Sequence, residues 1–192
     1  YVFFEIMSIA SYALVAFRRH WGAIEAAVKY LVIGSVGTSF VLIGIALLYG
    51  RLGTLTMANL MQLMGQVPLR DLIVPLTCFL VGIGIKVAMV PFHFWLPDAY
   101  QGAPSSVAAF FSGATATVGV YALVRVVYML FGAVGVGGLF AGLGVITMVL
   151  GALMALVQRD LKRLLAYSGI SQMGYILVGL GLGTALGIQG AL

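Results

Sequence analysis

Charged residues are scarce in this chain. They make up 8% of its 192 residues, whereas soluble proteins carry about 25%. Hydrophobic residues account for 62% of the sequence, and the mean hydropathy is +1.15. This composition excludes a soluble enzyme. It also argues against a transmembrane β-barrel, because the apolar runs are continuous and do not alternate with polar residues.

Ligands for metals and redox groups are scarce as well. Cys78 is the only cysteine, so a disulfide within the chain is impossible. A metal or iron–sulfur site lacks its ligand set, and no redox cofactor motif occurs. We therefore expect no catalytic residue, no cofactor and no metal in this chain.

The net charge of +5 comes from basic residues that lie mostly between the apolar runs. They form no stripe interleaved with aromatic residues of the kind that binds nucleic acids. The sequence therefore predicts no nucleic-acid partner. Basic residues that flank apolar runs instead report the orientation of a chain in the lipid bilayer.

Apolar runs long enough to cross the roughly 30 Å hydrocarbon core of a membrane recur along the chain. They predict an all-α, polytopic transmembrane helix bundle and a single transmembrane domain over residues 1–192. Within residues 50–70, TLTMANLMQLMG predicts an interfacial amphipathic helix. Tyr1 lies inside an apolar run without an initiator methionine, so we expect a fragment of a longer protein. The six predicted membrane helices are residues 1–17, 30–49, 71–90, 105–131, 137–157 and 163–183.

The connectors between these helices differ in charge. Alternating crossings place connectors 18–29, 91–105 and 158–163 on one side of the membrane. That side holds six basic residues, and the other side holds two, Arg51 and Arg70. By the positive-inside rule, the side with six basic residues is cytoplasmic.

A lysine lies deep inside the third apolar run. Lys86 follows Asp71 by 15 residues, about 22 Å along a helix, and a charge at the centre of a membrane helix costs about 3 kcal/mol on insertion scales. Pro91 then removes a backbone donor, and Pro97 is expected to keep the next segment from forming a regular helix. A buried charge beside a broken helix is typical of ion sites in transporters. The alternative is that the lysine reaches the interface near Pro91.

A carboxylate lies inside the first apolar run. Glu5 precedes Arg18 by 13 residues, which is about 20 Å along a helix. Deep acids normally face protein or water and find a partner. Glu5 is therefore a candidate to bias the protonation of Lys86, unless it lies near the opposite interface.

Other polar residues are candidates for a proton relay. The ordinary pKa of a histidine such as His93 lies near neutrality, which suits proton transfer, although a lone loop histidine is as often structural. Ser168, Ser171, Gln172 and Tyr175 share one face of the sixth helix. They can line a chain of waters or form helix–helix hydrogen bonds.

Four stretches carry a resemblance to a known family. GIGIKVAMVPFHFWLPDAYQGAPSSVAAFF, which contains Lys86, is the most specific of them. FEIMSIASYALVAFRR, AAVKYLVIGSVGTSFVLIGIALLYG and QRDLKRLLAYSGISQMGYILVGL occur in the same order as in that family. The sequence resembles the antiporter-like, proton-pumping subunits of respiratory complex I, together with the related Mrp antiporter and membrane-bound hydrogenase subunits.

The resemblance implies a fold of two inverted five-helix repeats, each with a discontinuous helix. This chain would hold the last four helices of the first repeat and the first two of the second. Glu5 and Lys86 would form the pair whose separation tunes protonation of the lysine, with Lys29 as a further candidate relay. The implied function is proton translocation in a redox-driven NADH:quinone oxidoreductase. Other membrane subunits would be partners, and the location would be a bacterial or archaeal cell membrane.

The sequence departs from the family pattern at two positions. The family usually has a lysine about where Ala116 or Thr117 stands, and a histidine where Gln172 stands. The proton path would then need water, Ser or Thr hydroxyls, or residues outside this chain.

Two alternative functions stay open. One alternative is a subunit of a Na⁺/H⁺ antiporter of Mrp type or of a membrane-bound hydrogenase. The other is a membrane scaffold whose charges only brace helices.

Overall fold

The computed structural model describes residues 1–131 and 135–191, which form a helical bundle without β-strands. This confirms the predicted all-α class. The segment predicted as helix 105–131 is helical from Ser105 to Phe131. The nine helices of the described residues are α1 (Val2–Val15), α2 (Trp21–Leu52), α3 (Met57–Met64), α4 (Leu69–Lys86), α5 (Trp95–Gly102), α6 (Ser105–Val126), α7 (Gly137–Val157), α8 (Leu161–Leu182) and α9 (Ala185–Ala191).

Four of these helices are long and apolar enough to cross a membrane, namely α2, α6, α7 and α8. Helix α1 has 14 residues. Helix α4 has 18 residues and carries Arg70, Asp71 and Lys86. Helix α3 lies in the connector where the sequence predicts an amphipathic helix.

Helix α2 corrects one predicted boundary. It begins at Trp21 rather than at residue 30, after His20, whose Nδ1 accepts a hydrogen bond of 3.1 Å from the Ala23 backbone N–H. Its 32 residues span about 48 Å, well beyond a hydrocarbon core of about 30 Å. The predicted connector 18–29 was therefore wrong from Trp21 onward, because these polar residues form helical turns that extend past the apolar segment.

The broken segment also begins earlier than predicted. Helix α4 ends at Lys86 rather than at residue 90, and Ala88 has a φ of +53°. The cause is Pro91, because a proline ring clashes with the carbonyl four residues earlier, here that of Val87. Pro97 corrects a further expectation, since it lies in the first turn of α5. A proline is tolerated there because first-turn N–H groups have no acceptor within the helix.

The connectors predicted to share one side of the membrane meet at one end of the bundle. Asp98 of α5 accepts hydrogen bonds from Lys29 of α2 at 3.2 Å and from Arg163 of α8 at 2.7 Å. Lys162 donates to the Ala103 carbonyl at 2.6 Å. We call Lys29, Asp98 and Arg163 the charged rim.

Helices α2 and α4 approach each other closely at Gly82. A Cβ atom added at Gly82 would lie 2.5 Å from the Gly37 carbonyl oxygen and 2.6 Å from the Val41 side chain. Small residues at helix contacts are typical of membrane bundles, because they let two backbones approach. This contact positions α4, and hence Lys86, against α2.

We expect Gly82→Ala to destabilise the protein by about 1–3 kcal/mol, because the added methyl group overpacks the α2–α4 contact. The measurement is the thermal unfolding of the purified full-length protein. Gly50→Ala is the matched control, since no atom lies within 4 Å of a Cβ at that position. Equal melting temperatures for the two variants would contradict this account of the contact.

Candidate functional site

Lys86 is the last residue of α4 and is 4% exposed. An ionisable side chain is rarely buried in a membrane bundle unless protein groups replace its hydration. The structure therefore disagrees with the alternative in which the amine reaches the interface near Pro91.

Hydroxyl groups of α1 take the place of water around the Lys86 amine. Its Nζ donates to Ser8 Oγ at 2.6 Å and to Tyr12 Oη at 3.3 Å. Ser8 in turn donates to the Phe4 carbonyl at 2.7 Å. Both polar partners of the amine lie on one helix, so α1 fixes the position of the amine.

Aromatic rings complete the surroundings of the amine. Lys86 Nζ lies 5.5 Å from the ring centres of Phe4 and Tyr12 and 5.9 Å from that of Tyr30. A cation within about 6 Å of a ring face is attracted by the ring quadrupole. We call Phe4, Ser8, Tyr12 and Tyr30 the amine pocket.

Glu5 lies on α1, as do Phe4, Ser8 and Tyr12 of the amine pocket, but it does not pair directly with Lys86. Its carboxylate accepts a hydrogen bond of 3.3 Å from the Tyr1 hydroxyl. Among the described residues, no carboxylate oxygen lies within 4.0 Å of Lys86 Nζ. Glu5 and Tyr12 both line a groove of about 560 Å³ between α1 and α2. The role of Glu5 in lysine protonation stays a prediction.

Side chains from other helices satisfy the backbone groups freed by the break. The Trp95 indole N–H donates to the Ile85 carbonyl at 2.7 Å. The Val90 backbone N–H donates to Thr147 Oγ1 of α7 at 3.2 Å. Non-helical backbone is tolerated inside a membrane only where such partners exist. The break next to Lys86 is thus held from both of its ends.

Tyr30 connects the break to the amine pocket. Its ring stacks on Trp95 with centres 4.1 Å apart and planes at 8°. The Tyr12 ring packs edge-on against the Tyr30 ring, with centres 4.6 Å apart. The Tyr30 hydroxyl oxygen lies 3.0 Å from the Ser11 hydroxyl oxygen. The stack therefore joins α1, α2 and α5 around the last turn of α4.

Ala88 stores backbone strain in this segment. A non-glycine residue in the left-handed region costs about 1–2 kcal/mol, and Ala88 lies there with φ at +53°. Strained residues persist only where neighbouring contacts over-determine them, and they cluster at functional sites. Trp95 and Thr147 supply such contacts on either side of Ala88.

The other predicted relay residues lie apart from the amine pocket. Lys29 belongs to the charged rim and pairs with Glu25 at 2.8 Å. His93 lies in the break and is 6% exposed, with its ring 4.4 Å from that of Phe94. Neither residue is among the polar partners of Lys86 in the described part of the chain, so their role as relays stays a prediction.

The polar face of α8 divides between two environments. Ser171 donates to the Met148 carbonyl of α7 at 3.0 Å, which is the helix–helix hydrogen bond that the sequence left open as an alternative. Gln172 lines a cavity that Lys86 also lines. Ser168 is half-buried and Tyr175 is exposed. These four residues lie at helical spacing as predicted, but their side chains lie in different surroundings.

Sequence reasoning missed the residues that hold Lys86 and its break. A signal was present for Ser8 and Tyr12, because they recur at helical spacing with Glu5 along an apolar run. Trp95 and Thr147 gave no comparable signal, since their roles depend on where the chain folds back.

Within residues 1–131 and 135–191, no three His, Cys, Asp or Glu side chains converge as a metal site would require.

We expect Trp95→Phe to lower stability by about 1 kcal/mol, because the Ile85 carbonyl loses the indole N–H and is left with backbone donors alone, such as the Ala88 N–H at 3.2 Å. The change keeps an aromatic ring beside Tyr30. Trp21→Phe is the matched control, since Trp21 is 82% exposed. Thermal unfolding of the full-length protein measures the effect, and an unchanged melting temperature for Trp95→Phe would show that the indole N–H does not support the break.

The chain is similar to known membrane proteins in sequence and in fold. Residues 1–192 match the family described as NADH:quinone oxidoreductase/Mrp antiporter, TM. A curated relative, NADH-quinone oxidoreductase subunit N of Desulforudis audaxviator, is 44% identical over the whole chain, which covers 39% of that protein. The chain thus spans about two fifths of the length of this relative.

Two solved structures resemble the fold. A chain of the archaeal membrane-bound sulfane sulfur reductase has a TM-score of 0.86 and 37% identity, with 94% of this chain and 38% of that chain covered. A chain of the Mrp complex from Dietzia sp. has a TM-score of 0.89 and 31% identity, with 99% and 36% covered. The chain is a multi-pass membrane protein, and it belongs to the NADH:quinone oxidoreductase/Mrp antiporter transmembrane family.

Proposed function

We propose that this chain is part of an antiporter-like subunit that translocates protons across a bacterial or archaeal cell membrane. The observation that carries the proposal is the Lys86 amine, buried at a helix break and held by hydroxyls and aromatic rings. Residues 1–192 form one transmembrane domain of a longer protein. Lys86 carries the proton, and Glu5 biases its protonation from α1, the helix that also carries Ser8 and Tyr12.

The amine pocket suits a residue that changes its protonation state. Hydroxyl groups both donate and accept hydrogen bonds. Ser8 and Tyr12 can therefore form a hydrogen bond with the Lys86 amine in its charged form and in its neutral form. A carboxylate in direct contact would favour the charged amine alone, and the described residues place none within 4.0 Å.

The driving reaction lies outside this chain. The curated relative is named for an NADH-quinone oxidoreductase, so we assign the chain to a redox-driven complex of that type. Other membrane subunits and the lipid bilayer are its partners, and H⁺ is the ion that it moves. The chain itself catalyses no redox step and binds no cofactor.

A cation/proton antiporter is the second candidate function. The high TM-score with the Mrp complex supports it, and Na⁺ would then exchange for H⁺. Pumping measured in vesicles with and without Na⁺ separates the two, because an obligatory antiporter loses proton movement when Na⁺ is removed.

We expect Lys86→Met in the assembled complex to slow proton pumping by roughly 100-fold, the usual contribution of a positioned proton-transfer group. Methionine fills similar space without a charge to bury, so assembly is retained. The measurement is proton uptake into inverted vesicles, normalised to quinone reduction. Lys162→Met is the control, because the Lys162 amine donates to a backbone carbonyl at the charged rim end of the bundle.

The same experiment addresses the scaffold alternative. A scaffold role predicts that Lys86→Met lowers assembly while the assembled fraction pumps normally. Normal pumping by the assembled variant would therefore overturn the proposed function.

A further inference from the structure

The groove of about 560 Å³ between α1 and α2 has a mostly apolar wall. Ile9 of α1 and Val28 and Leu31 of α2 line it, with side chains that are exposed in this chain. Ala13 and Ala27 also line it, and their small side chains leave the space between the larger ones open. Binding sites for small ligands are typically concave and lined by apolar side chains. The groove therefore suits an apolar ligand.

The depth of the groove matches one leaflet of a membrane. Ile24 and Ser35 both line it and lie 11 residues apart on α2, which is about 16 Å along a helix. The hydrocarbon core of a membrane is about 30 Å thick, and one leaflet provides about half of it. Glu5 and Ser35 are the lining residues farthest from the turn between α1 and α2, and both are polar. A single acyl chain therefore fits between the turn and this polar end.

Two arginines lie in the turn, at the mouth of the groove. Arg18 ends a short 3-10 turn that follows α1, and the Arg19 backbone N–H donates at 2.9 Å to the carbonyl of Ala16, a lining residue of the groove. Both arginine side chains are exposed. Among the residues that the structure describes, no carboxylate oxygen lies within 4.0 Å of either guanidinium. The turn therefore presents two positive charges without a counter-charge.

Aromatic side chains flank the two arginines. Phe17 is 72% exposed and Trp21 is 82% exposed. Tryptophan is enriched where the hydrocarbon of a membrane meets its headgroups, because its ring system has an apolar body and a polar N–H. Basic and aromatic side chains together are typical of segments that bind at this level. We therefore place residues 17–21 at the level of the headgroups.

An anionic phospholipid combines the chemistry that the groove and its mouth require. A guanidinium forms paired hydrogen bonds with phosphate, and an acyl chain suits the apolar wall. The positive-inside rule places the turn on the cytoplasmic side, where anionic lipids create a negative surface potential that attracts basic residues. A helix of a partner protein would also cover the wall, but it would not by itself neutralise Arg18 and Arg19. Charge therefore favours the lipid.

We propose that the groove between α1 and α2 binds one acyl chain of an anionic phospholipid, whose phosphate lies against Arg18 and Arg19. The chain lies along Ile9 and Val28 and ends near Glu5. Lys86 does not line this groove, so the proposal does not depend on the function of the amine. Its test measures lipid binding rather than pumping.

Quenching of Trp21 fluorescence by a brominated lipid measures binding at this site. The full-length protein in a neutral detergent is titrated with phosphatidylglycerol that carries bromine on its acyl chains. The Trp21 signal is the difference between each protein and its Trp21→Phe counterpart. We expect saturable quenching with this lipid and weaker binding of brominated phosphatidylcholine, whose headgroup has no net charge. Equal binding of the two lipids overturns the proposal.

Removal of the two arginine charges tests the headgroup contact. We expect Arg18→Gln combined with Arg19→Gln to raise the half-saturating concentration of phosphatidylglycerol about 25-fold, since each basic residue near an anionic lipid contributes roughly fivefold. Arg159→Gln is the control, because Arg159 is exposed in connector 158–163 on the same side of the membrane. Unchanged binding by the double variant, or an equal loss in Arg159→Gln, overturns the assignment of the headgroup.

A leucine in the groove tests the contact with the acyl chain. We expect Ala13→Leu to weaken binding of phosphatidylglycerol about tenfold, because the larger side chain takes up space that the acyl chain needs. Ala10→Leu is the matched control, since Ala10 is exposed on α1 and is not among the residues that line the groove. Unchanged binding by Ala13→Leu would mean that the arginines bind the phosphate without the groove, and this overturns the proposal.

A cryo-electron microscopy map of the assembled complex in phosphatidylglycerol nanodiscs locates the ligand. We expect elongated density along the groove, with a headgroup within about 3 Å of an Arg18 or Arg19 guanidinium, and its loss in the double arginine variant. A helix of another subunit in the groove overturns the proposal. An empty groove in a map that shows lipids elsewhere does so as well. Neither result changes the proposed function of Lys86, which the pumping assay tests separately.

Discussion

The hydrogen bonds between the Lys86 amine and the hydroxyls of α1 are the contacts on which the rest of the site depends. A charged amine is stable inside a membrane bundle only where protein groups replace its water. Ser8 and Tyr12 supply these groups, and ring faces add to them. The amine reaches them from the last residue of α4, so the site and the break in the helix form one structural feature.

The break is a fixed part of the fold rather than a loose connector. An unpaired backbone group inside a membrane has no water to bind, which makes every freed N–H and carbonyl costly. Trp95 and Thr147 come from different helices and take up one acceptor and one donor. The left-handed backbone at Ala88 is maintained by the same contacts. Packing between helices thus stabilises the interruption that Pro91 begins.

The sequence predicted the features that depend on composition and local spacing. Lys86 was recognisable because a charge is anomalous in an apolar run, and the helix at Gly137–Val157 has the predicted bounds. The start of α2 was missed because its charged first turns look like a connector, although they are helical beyond the apolar segment. The amine pocket depends on contacts such as that of Lys86 with Ser8, 78 residues apart. Local periodicity carries no information about which helices will meet.

The two partners of Asp98 connect the charged rim to the site. Lys29 of α2 and Arg163 of α8 both bind this carboxylate. Trp95 lies three residues before Asp98, in the same first turn of α5, and donates to the carbonyl just before Lys86. A movement of α8 that preserves its ion pair with Asp98 therefore also moves the turn that carries Trp95. The ion pairs at the end of the bundle and the buried Lys86 amine are thus connected through a single turn of helix.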